Sequence, residues 1–114
     1  MIPLMQNYIQ EVPEMIKHVN LWKFRESLSL EEKDSVRQGM KEAFERLPGV
    51  IPGMIDCVIR TELGPKSNAD CMMECTFESM EALDAYRINP LHQDIAVNKV
   101  RPFTIDRLGA DFEV

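Results

Sequence analysis

The chain has 114 residues, of which 45% are hydrophobic and 28% charged, a composition typical of one soluble globular domain with one core. Its net charge of -6 excludes nucleic acid as a partner, because binding to phosphates depends on neutralisation by Lys and Arg. The sequence also lacks a secretory leader and an apolar run of about 18 residues, so it excludes a membrane span and predicts a cytoplasmic protein.

Residues 1–14 are predicted to form an N-terminal arm, because Pro3 and Pro13 interrupt any regular element there, and the domain is predicted to span residues 15–114. The first strand lies within MIKHVNLWKFR, where the side chains alternate. One side of that strand carries Ile16, His18, Asn20, Trp22 and Phe24. Apolar residues also occur on the opposite side, so both sides of the strand are predicted to be at least partly covered.

A helix is predicted to begin after Ser29. Ser29 and Glu32 form a capping-box pattern, in which each side chain bonds a free amide of the helix start. Pro48 and Gly49 mark the end of the helix. The apolar residues between these signals lie on one face: Val36, Met40, Phe44 and Leu47.

Two strands are predicted next, separated by the turn-forming residues GPKSN. In MIDCVIRTEL, one side is expected to carry Ile55, Cys57 and Ile59, and in CMMECTF one side carries Cys71, Met73, Cys75 and Phe77. Cys71 and Cys75 would lie about 13 Å apart along a strand, beyond the roughly 7 Å limit for a disulfide. The three cysteines are therefore predicted to be free thiols.

The segment SMEALDAYRIN predicts a short helix, capped by Ser79, with Met80, Leu83 and Tyr86 along one face. This helix is interrupted at Asn89-Pro90.

Asn89 is suited to cap a further helix, and Pro90 to be its first residue, which places His92 in the first turn. The final segment, FTIDRLGADFEV, predicts a last strand with a bulge at Gly109.

The order β-α-β-β-α-β predicts an α+β, ferredoxin-like fold with a four-stranded antiparallel sheet. Two helical segments cover only one face of such a sheet, while apolar residues remain on the other: Val19, Leu21 and Met72. We expect that face to pack against the sheet of a second copy, which gives a homodimer.

His92 is a candidate general base, because the pKa of histidine is ordinarily about 6.5 and a helix N-terminus disfavours imidazolium. Alternatively, its ring hydrogen-bonds a neighbouring backbone carbonyl. Tyr86 either stabilises an enolate oxygen or is a core aromatic. His18 and Asn20 share the covered side of the first strand, where they either bond each other and the backbone or bond a ligand.

Metal and cofactor sites are not predicted. Neither GxGxxG nor GxxxxGK[ST] occurs, so nucleotide cofactors have no support. Cys57, Cys71, His18 and His92 lack the CxxC or HxxxH spacing that structural zinc sites usually contain.

Four segments in matching order resemble the stress-responsive A/B barrel domain (Dabb) family: MIKHVNLWKF, LPGVIPG, ECTFESMEALDAY continuing into NPLHQ, and IDRLGADFEV. The resemblance covers residues 15–114 and implies a dimeric α+β barrel, in which two four-stranded sheets pack against each other. The family includes plant stress-induced proteins and a plant polyketide cyclase that closes a linear poly-β-ketone by an aldol-type step without a cofactor.

In that cyclase the pocket lies between the sheet and the helices of one subunit. The resemblance implies that His92 is the base and that Tyr86 and His18 belong to the pocket. A pocket histidine and a pocket tyrosine of the cyclase are replaced here by Cys71 and Phe44, so a different substrate is expected.

The resulting hypothesis is a cofactor-independent lyase or cyclase for a β-keto or polyketide-like small molecule. His92 and Tyr86 would be catalytic, and the substrate would contact His18, Asn20, Trp22, Phe44, Cys57 and Cys71. A second hypothesis is a non-catalytic, stress-related protein that binds a small ligand. A third, taken from other dimeric α+β barrels, is a haem- or quinone-related monooxygenase.

Overall fold

The computed structural model describes residues 15–114, and the predicted arm, residues 1–14, lies outside the described residues. The main elements in chain order are β1 (Ile16–Phe24), α1 (Leu30–Phe44), β2 (Met54–Arg60), β3 (Cys71–Phe77), α2 (Met80–Ile88), α3 (Pro90–Ile95) and β4 (Thr104–Glu113). A π-helical turn (Ala96–Val100) and a 3-10 turn (Arg101–Phe103) connect α3 to β4.

The four strands form one antiparallel sheet in the order β2-β3-β1-β4, which confirms the predicted ferredoxin-like α+β fold. β1 is a central strand, and its register places His18 between Cys75 of β3 and Asp111 of β4. Asn20 pairs with Gly109 of β4 in the same ladder. The last strand therefore runs directly beside the two polar residues of β1.

The core lies between the sheet and the helices. The predicted side of β1 is buried, and so is the predicted apolar face of α1: Val36, Met40 and Phe44. The capping box of Ser29 and Glu32 is present, with both reciprocal hydrogen bonds formed. No helix among residues 15–114 combines the length and apolarity needed to cross a membrane.

β2 departs from the predicted alternation at its beginning. The prediction that Ile55 shares one side of the strand with Cys57 and Ile59 is wrong, because its side chain is 43% exposed and Met54 is buried instead. The pairing with β3 shifts register between Met54 and Asp56, and this irregularity changes which side chains point inward. After the shift, Cys57 and Ile59 are buried as predicted.

Of the three residues predicted to lie along one face of α2, Leu83 and Tyr86 are buried, whereas Met80, the first residue of the helix, is exposed. One further prediction is wrong. Gly109 does not form a bulge but pairs in register with Asn20. A Cβ atom at Gly109 would lie 3.0 Å from Asn20 Oδ1, so glycine allows β4 to pass close to that side chain.

The side of the sheet turned away from the helices is called here the outer face. On it, Leu21 of β1 pairs with Leu108 of β4, and Lys17 pairs with Phe112. In the single chain, Leu108 is 70% exposed and Phe112 is 49% exposed. The outer face also carries charged residues such as Lys17 and Glu74, but its apolar residues provide the surface from which sheet-to-sheet packing was predicted: Val19, Leu21, Met72, Leu108, Ala110 and Phe112.

Candidate functional site

The break between α2 and α3 frees a backbone carbonyl. Asn89 caps α3, and its Oδ1 accepts a hydrogen bond from the Leu91 N–H at 2.9 Å, while Pro90 has no N–H to donate. In an uninterrupted helix the Leu91 N–H would bond the carbonyl of Arg87, four residues earlier. The break therefore leaves the Arg87 carbonyl available to side chains.

That carbonyl sets the tautomer of His92. Its oxygen lies 3.1 Å from His92 Nδ1 and also accepts a hydrogen bond from Gln93 Nε2 at 2.6 Å. Because a carbonyl can only accept, Nδ1 carries the ring proton, and Nε2 of the neutral ring keeps its lone pair. The hydrogen bond of the alternative interpretation is thus present, and it leaves His92 able to accept a proton.

Burial lowers the pKa of His92 below its ordinary value of 6.5. The hydrogen bond to the Arg87 carbonyl opposes this shift, whereas the nearby charges of Arg101 and Arg87 reinforce it. His92 is therefore neutral at pH 7, which is the state that a general base requires.

Tyr86 packs directly against His92, with ring centroids 4.2 Å apart and ring planes at 38°. Its side chain is 1% exposed, and its hydroxyl has no hydrogen-bond partner among residues 15–114. Burial raises the pKa of Tyr86 well above its usual value, so the hydroxyl stays protonated. Tyr86 therefore supports the ring of His92 from within the core.

His18 belongs to a directed chain of hydrogen bonds that joins β1, β4 and α2. Arg107 Nη1 donates to Asn20 Oδ1 at 3.4 Å, which leaves Asn20 Nδ2 to donate to His18 Nε2 at 3.4 Å. His18 Nδ1 lies 2.6 Å from Asp111 Oδ1, and Arg87 Nη2 donates to the second oxygen of Asp111. Since Nε2 accepts from Asn20, His18 is neutral and donates from Nδ1 to Asp111.

The ionisation of the two central groups agrees with this chain. Burial lowers the pKa of His18, in opposition to the hydrogen bond with Asp111. Burial alone would raise the pKa of Asp111, but the His18 hydrogen bond and the Arg87 charge hold it below its usual value. The chain therefore contains a neutral imidazole and an ionised carboxylate at pH 7.

A cavity of about 440 Å³ opens beside these residues. Four of the predicted site residues line it, namely Asn20, Trp22, Phe44 and His92. The other lining residues are Arg87, Gln93, Ala96, Val100, Arg101, Thr104 and Arg107. The rings of Trp22 and Phe44 stack with centroids 6.0 Å apart and give the cavity an aromatic wall.

The remaining predicted site residues are buried and are not part of the cavity lining: His18, Tyr86, Cys57 and Cys71. The three cysteines are free, and Cys75 Sγ lies 2.9 Å from Cys57 Sγ across the β2–β3 pair. Burial raises the pKa of Cys71 to about 11, so its thiol is protonated and a poor nucleophile at neutral pH. Within residues 15–114, no three His, Cys, Asp or Glu side chains are grouped to hold a metal ion.

Sequence reasoning missed the charged residues that surround the site. Arg107 and Asp111 lie on the same side of β4 as Gly109, at a spacing of two, and this alternation was a usable signal. Arg87 was harder to identify, because a basic residue in the last turn of a helix usually lies in solvent and interacts favourably with the helix dipole.

Tyr86→Phe is expected to raise the free energy of unfolding by about 1 kcal/mol, because it removes a buried hydroxyl that lacks a partner. The measurement is urea unfolding followed by circular dichroism. Thr76→Val offers a comparison, since Thr76 Oγ1 is likewise buried without a partner among the described residues. A loss of more than about 1 kcal/mol in Tyr86→Phe would show that the hydroxyl is bonded in the folded protein.

Comparison with known proteins gave one family match, since residues 16–114 match the family described as Stress responsive A/B Barrel Domain (Dabb). The search of curated proteins gave no match. A dimeric protein of unknown function and ferredoxin-like fold from Bacteroides fragilis has a TM-score of 0.80 and 26% identity, over 88% of this chain and 96% of that chain.

Two other solved structures support the fold. A Dabb family protein with a ferredoxin-like fold from Mesorhizobium loti has a TM-score of 0.66 and 22% identity, over 87% of this chain and 95% of its own. A hydroxynitrile lyase from Passiflora edulis has a TM-score of 0.69 and 18% identity, over 90% of this chain and 95% of its own.

Proposed function

Since the chain belongs to the stress-responsive A/B barrel domain family, we propose that it is a cofactor-independent lyase or cyclase for a small β-keto or polyketide-like molecule. The observation that carries the proposal is the state of His92, a neutral imidazole with an unprotonated Nε2 at the wall of a cavity. A hydroxynitrile lyase with the same fold supports the suitability of this scaffold for lyase chemistry.

In the proposed reaction, His92 Nε2 takes a proton from the carbon next to a substrate carbonyl. The electron pair of the C–H bond moves into the carbonyl group and gives an enolate, whose oxygen is stabilised by the guanidinium groups of the cavity. The enolate carbon then attacks a second carbonyl carbon and forms a C–C bond, and the imidazolium gives its proton to the resulting alkoxide, which regenerates the base. The lyase direction is the reverse: His92 Nε2 takes the proton of a β-hydroxyl group, the C–C bond breaks to give a carbonyl and an enolate, and the imidazolium protonates the enolate carbon.

The surrounding residues fit this scheme in different ways. Asn20 is positioned by Arg107 and His18, and its side chain contributes a polar group to the cavity. The stacked Trp22 and Phe44 rings provide an apolar surface for the body of the substrate. Tyr86 acts as a positioning residue, because its ring packs against His92 while its hydroxyl is enclosed.

The test measures deuterium uptake at the carbon between the two carbonyl groups of ethyl acetoacetate in D₂O, followed by proton NMR. We expect the protein to accelerate exchange over buffer, and His92→Gln to lower the protein-dependent rate by about 100-fold, a typical contribution of a general base. Glutamine can still donate to the Arg87 carbonyl but cannot take the proton. Glu42→Gln is the matched control, since it removes an exposed carboxylate outside the cavity.

The pH dependence gives a second readout of the same assay. A protonated imidazole cannot accept a proton, so the rate should be constant near pH 7 and fall at acidic pH, with a midpoint below 6.5. Equal rates in wild type and His92→Gln would exclude His92 as the base. A wild-type rate equal to that of buffer would exclude neutral β-keto esters as substrates.

A non-catalytic ligand-binding protein is the second candidate, and the aromatic wall of the cavity favours it. Trp22 and Phe44 offer a binding surface that does not depend on the proton-accepting group. This candidate predicts that ligand binding occurs in wild type and persists in His92→Gln, while neither protein accelerates proton exchange.

We also propose that two copies of the chain associate through their outer faces. The solved protein from Bacteroides fragilis is described as dimeric. The apolar side chains of the outer face would be buried in such a dimer, and this burial would provide the driving force.

A further inference from the structure

The lining of the cavity is strongly cationic, although the chain as a whole carries a net charge of -6. Three of the lining residues are arginines, namely Arg87, Arg101 and Arg107, and none of the lining residues is Asp or Glu. A concave site that concentrates charge of one sign attracts small molecules of the opposite sign. The cavity is therefore suited to an anion.

Within the described residues, 15–114, two of the three arginines have no carboxylate partner. Arg87 forms an ion pair with Asp111, whose other oxygen is bonded to His18. Among residues 15–114, neither Arg101 nor Arg107 forms an ion pair. Arg107 donates one hydrogen bond to Asn20 Oδ1, which orients its guanidinium without neutralising it.

The other lining residues indicate the chemical nature of the uncharged part of the ligand. Trp22 and Phe44 form the aromatic wall, and Ala96 and Val100 add aliphatic surface. A volume of about 440 Å³ is within the range of small-molecule sites. A ligand that matches both the cationic and the apolar lining has one anionic group and an apolar body. Inorganic phosphate lacks the apolar body.

We propose that this cavity selects small organic acids, with the carboxylate bound by Arg101 and Arg107 and the apolar body placed against Trp22 and Phe44. Guanidinium groups suit this task because their planar donors match the two oxygens of a carboxylate. The inference rests on the proposed function in one respect: if His92 acts on the bound molecule, the substrate class narrows to keto acids. Binding itself does not depend on that chemistry.

The chain has one tryptophan, Trp22, and this residue lines the cavity, so its fluorescence reports occupancy directly. The probes are 3-phenylpropanoate, its neutral amide 3-phenylpropanamide, and inorganic phosphate, each titrated into the wild-type protein. We expect saturable binding of the acid, at least tenfold weaker binding of the amide, and no displacement of the acid by equimolar phosphate.

The double variant Arg101→Gln with Arg107→Gln should lower the affinity for 3-phenylpropanoate at least tenfold. Its charge-matched control is Arg46→Gln with Lys66→Gln, since both residues are exposed and neither lines the cavity. The single variant Arg101→Gln keeps the Arg107–Asn20 hydrogen bond and is measured instead if the double variant does not fold. It should lower the affinity for 3-phenylpropanoate at least threefold.

Equal affinity for the acid and its amide would overturn the inference. An equal loss of affinity for 3-phenylpropanoate in the cavity variant and in its control would also overturn it. Displacement by equimolar phosphate would show an unselective anion site and would also overturn it. Failure of the proposed function has a different signature, because the carboxylate then binds in the fluorescence assay while His92→Gln leaves proton exchange unchanged.

Discussion

Gly53→Ala is expected to lower the free energy of unfolding by about 3 kcal/mol, from the combined cost of a left-handed backbone and an overpacked contact. Gly53 has φ +79°, a conformation that L side chains rarely adopt. A Cβ atom there would lie 2.5 Å from Ala82 Cβ, and the Gly53 carbonyl accepts a hydrogen bond from the Glu78 N–H at 2.8 Å. The added methyl group would push the start of β2 away from α2, which carries Tyr86.

Gly49→Ala separates the two contributions. Gly49 has a similar φ of +86°, but a Cβ atom there would meet no heavy atom within 4 Å. Its expected loss is therefore only the backbone cost, about 1 to 2 kcal/mol. Urea unfolding of the two variants side by side measures the difference in their free energies of unfolding. Equal losses of this free energy would show that the structure around Ala82 accommodates the added methyl group without cost.

Leu108→Glu is expected to convert the proposed dimer into a monomer. Leu108 lies on the outer face opposite Leu21, and a carboxylate at this position would be buried without a partner when two sheets pack together. A penalty of about 3 kcal/mol raises the dissociation constant more than 100-fold. Sedimentation velocity over a range of protein concentrations measures the change.

Leu30→Glu is the control for this variant, because Leu30 is 81% exposed and begins α1. A carboxylate in the first turn of a helix is favourable, so this variant should fold and dimerise as the wild type does. The proposal of association through the outer face fails if Leu108→Glu sediments as a dimer. It also fails if the wild type is monomeric at all concentrations.

The fold could be predicted because most of its signals are local. The alternation of β1, the capping box at Ser29 and the break at Asn89-Pro90 depend on residues that are close together in sequence. The exposure of Ile55 could not be predicted in this way, because it results from a register shift against β3, which lies further along the chain. The predicted bulge at Gly109 is wrong because a glycine in a strand has two common meanings. It can mark a bulge, or it can allow another side chain to approach closely, as Asn20 does here.

The candidate site was only partly predictable. The apolar and aromatic lining followed from the buried faces of β1 and α1, because Trp22 and Phe44 lie on those faces. The cationic lining did not follow, because Arg87, Arg101 and Arg107 come from separate elements that meet only in three dimensions. Single charged residues in such positions are indistinguishable in sequence from ordinary surface residues.

The interruption after α2 has a consequence for how this protein tolerates change. The proton position on His92 is set by a main-chain oxygen that Asn89 and Pro90 release, rather than by a neighbouring acidic side chain. Substitutions elsewhere in the cavity wall can therefore alter size, charge and ligand preference without removing the partner that holds the imidazole. With this arrangement, the composition of the cavity lining and the proton position on His92 are set by different parts of the chain.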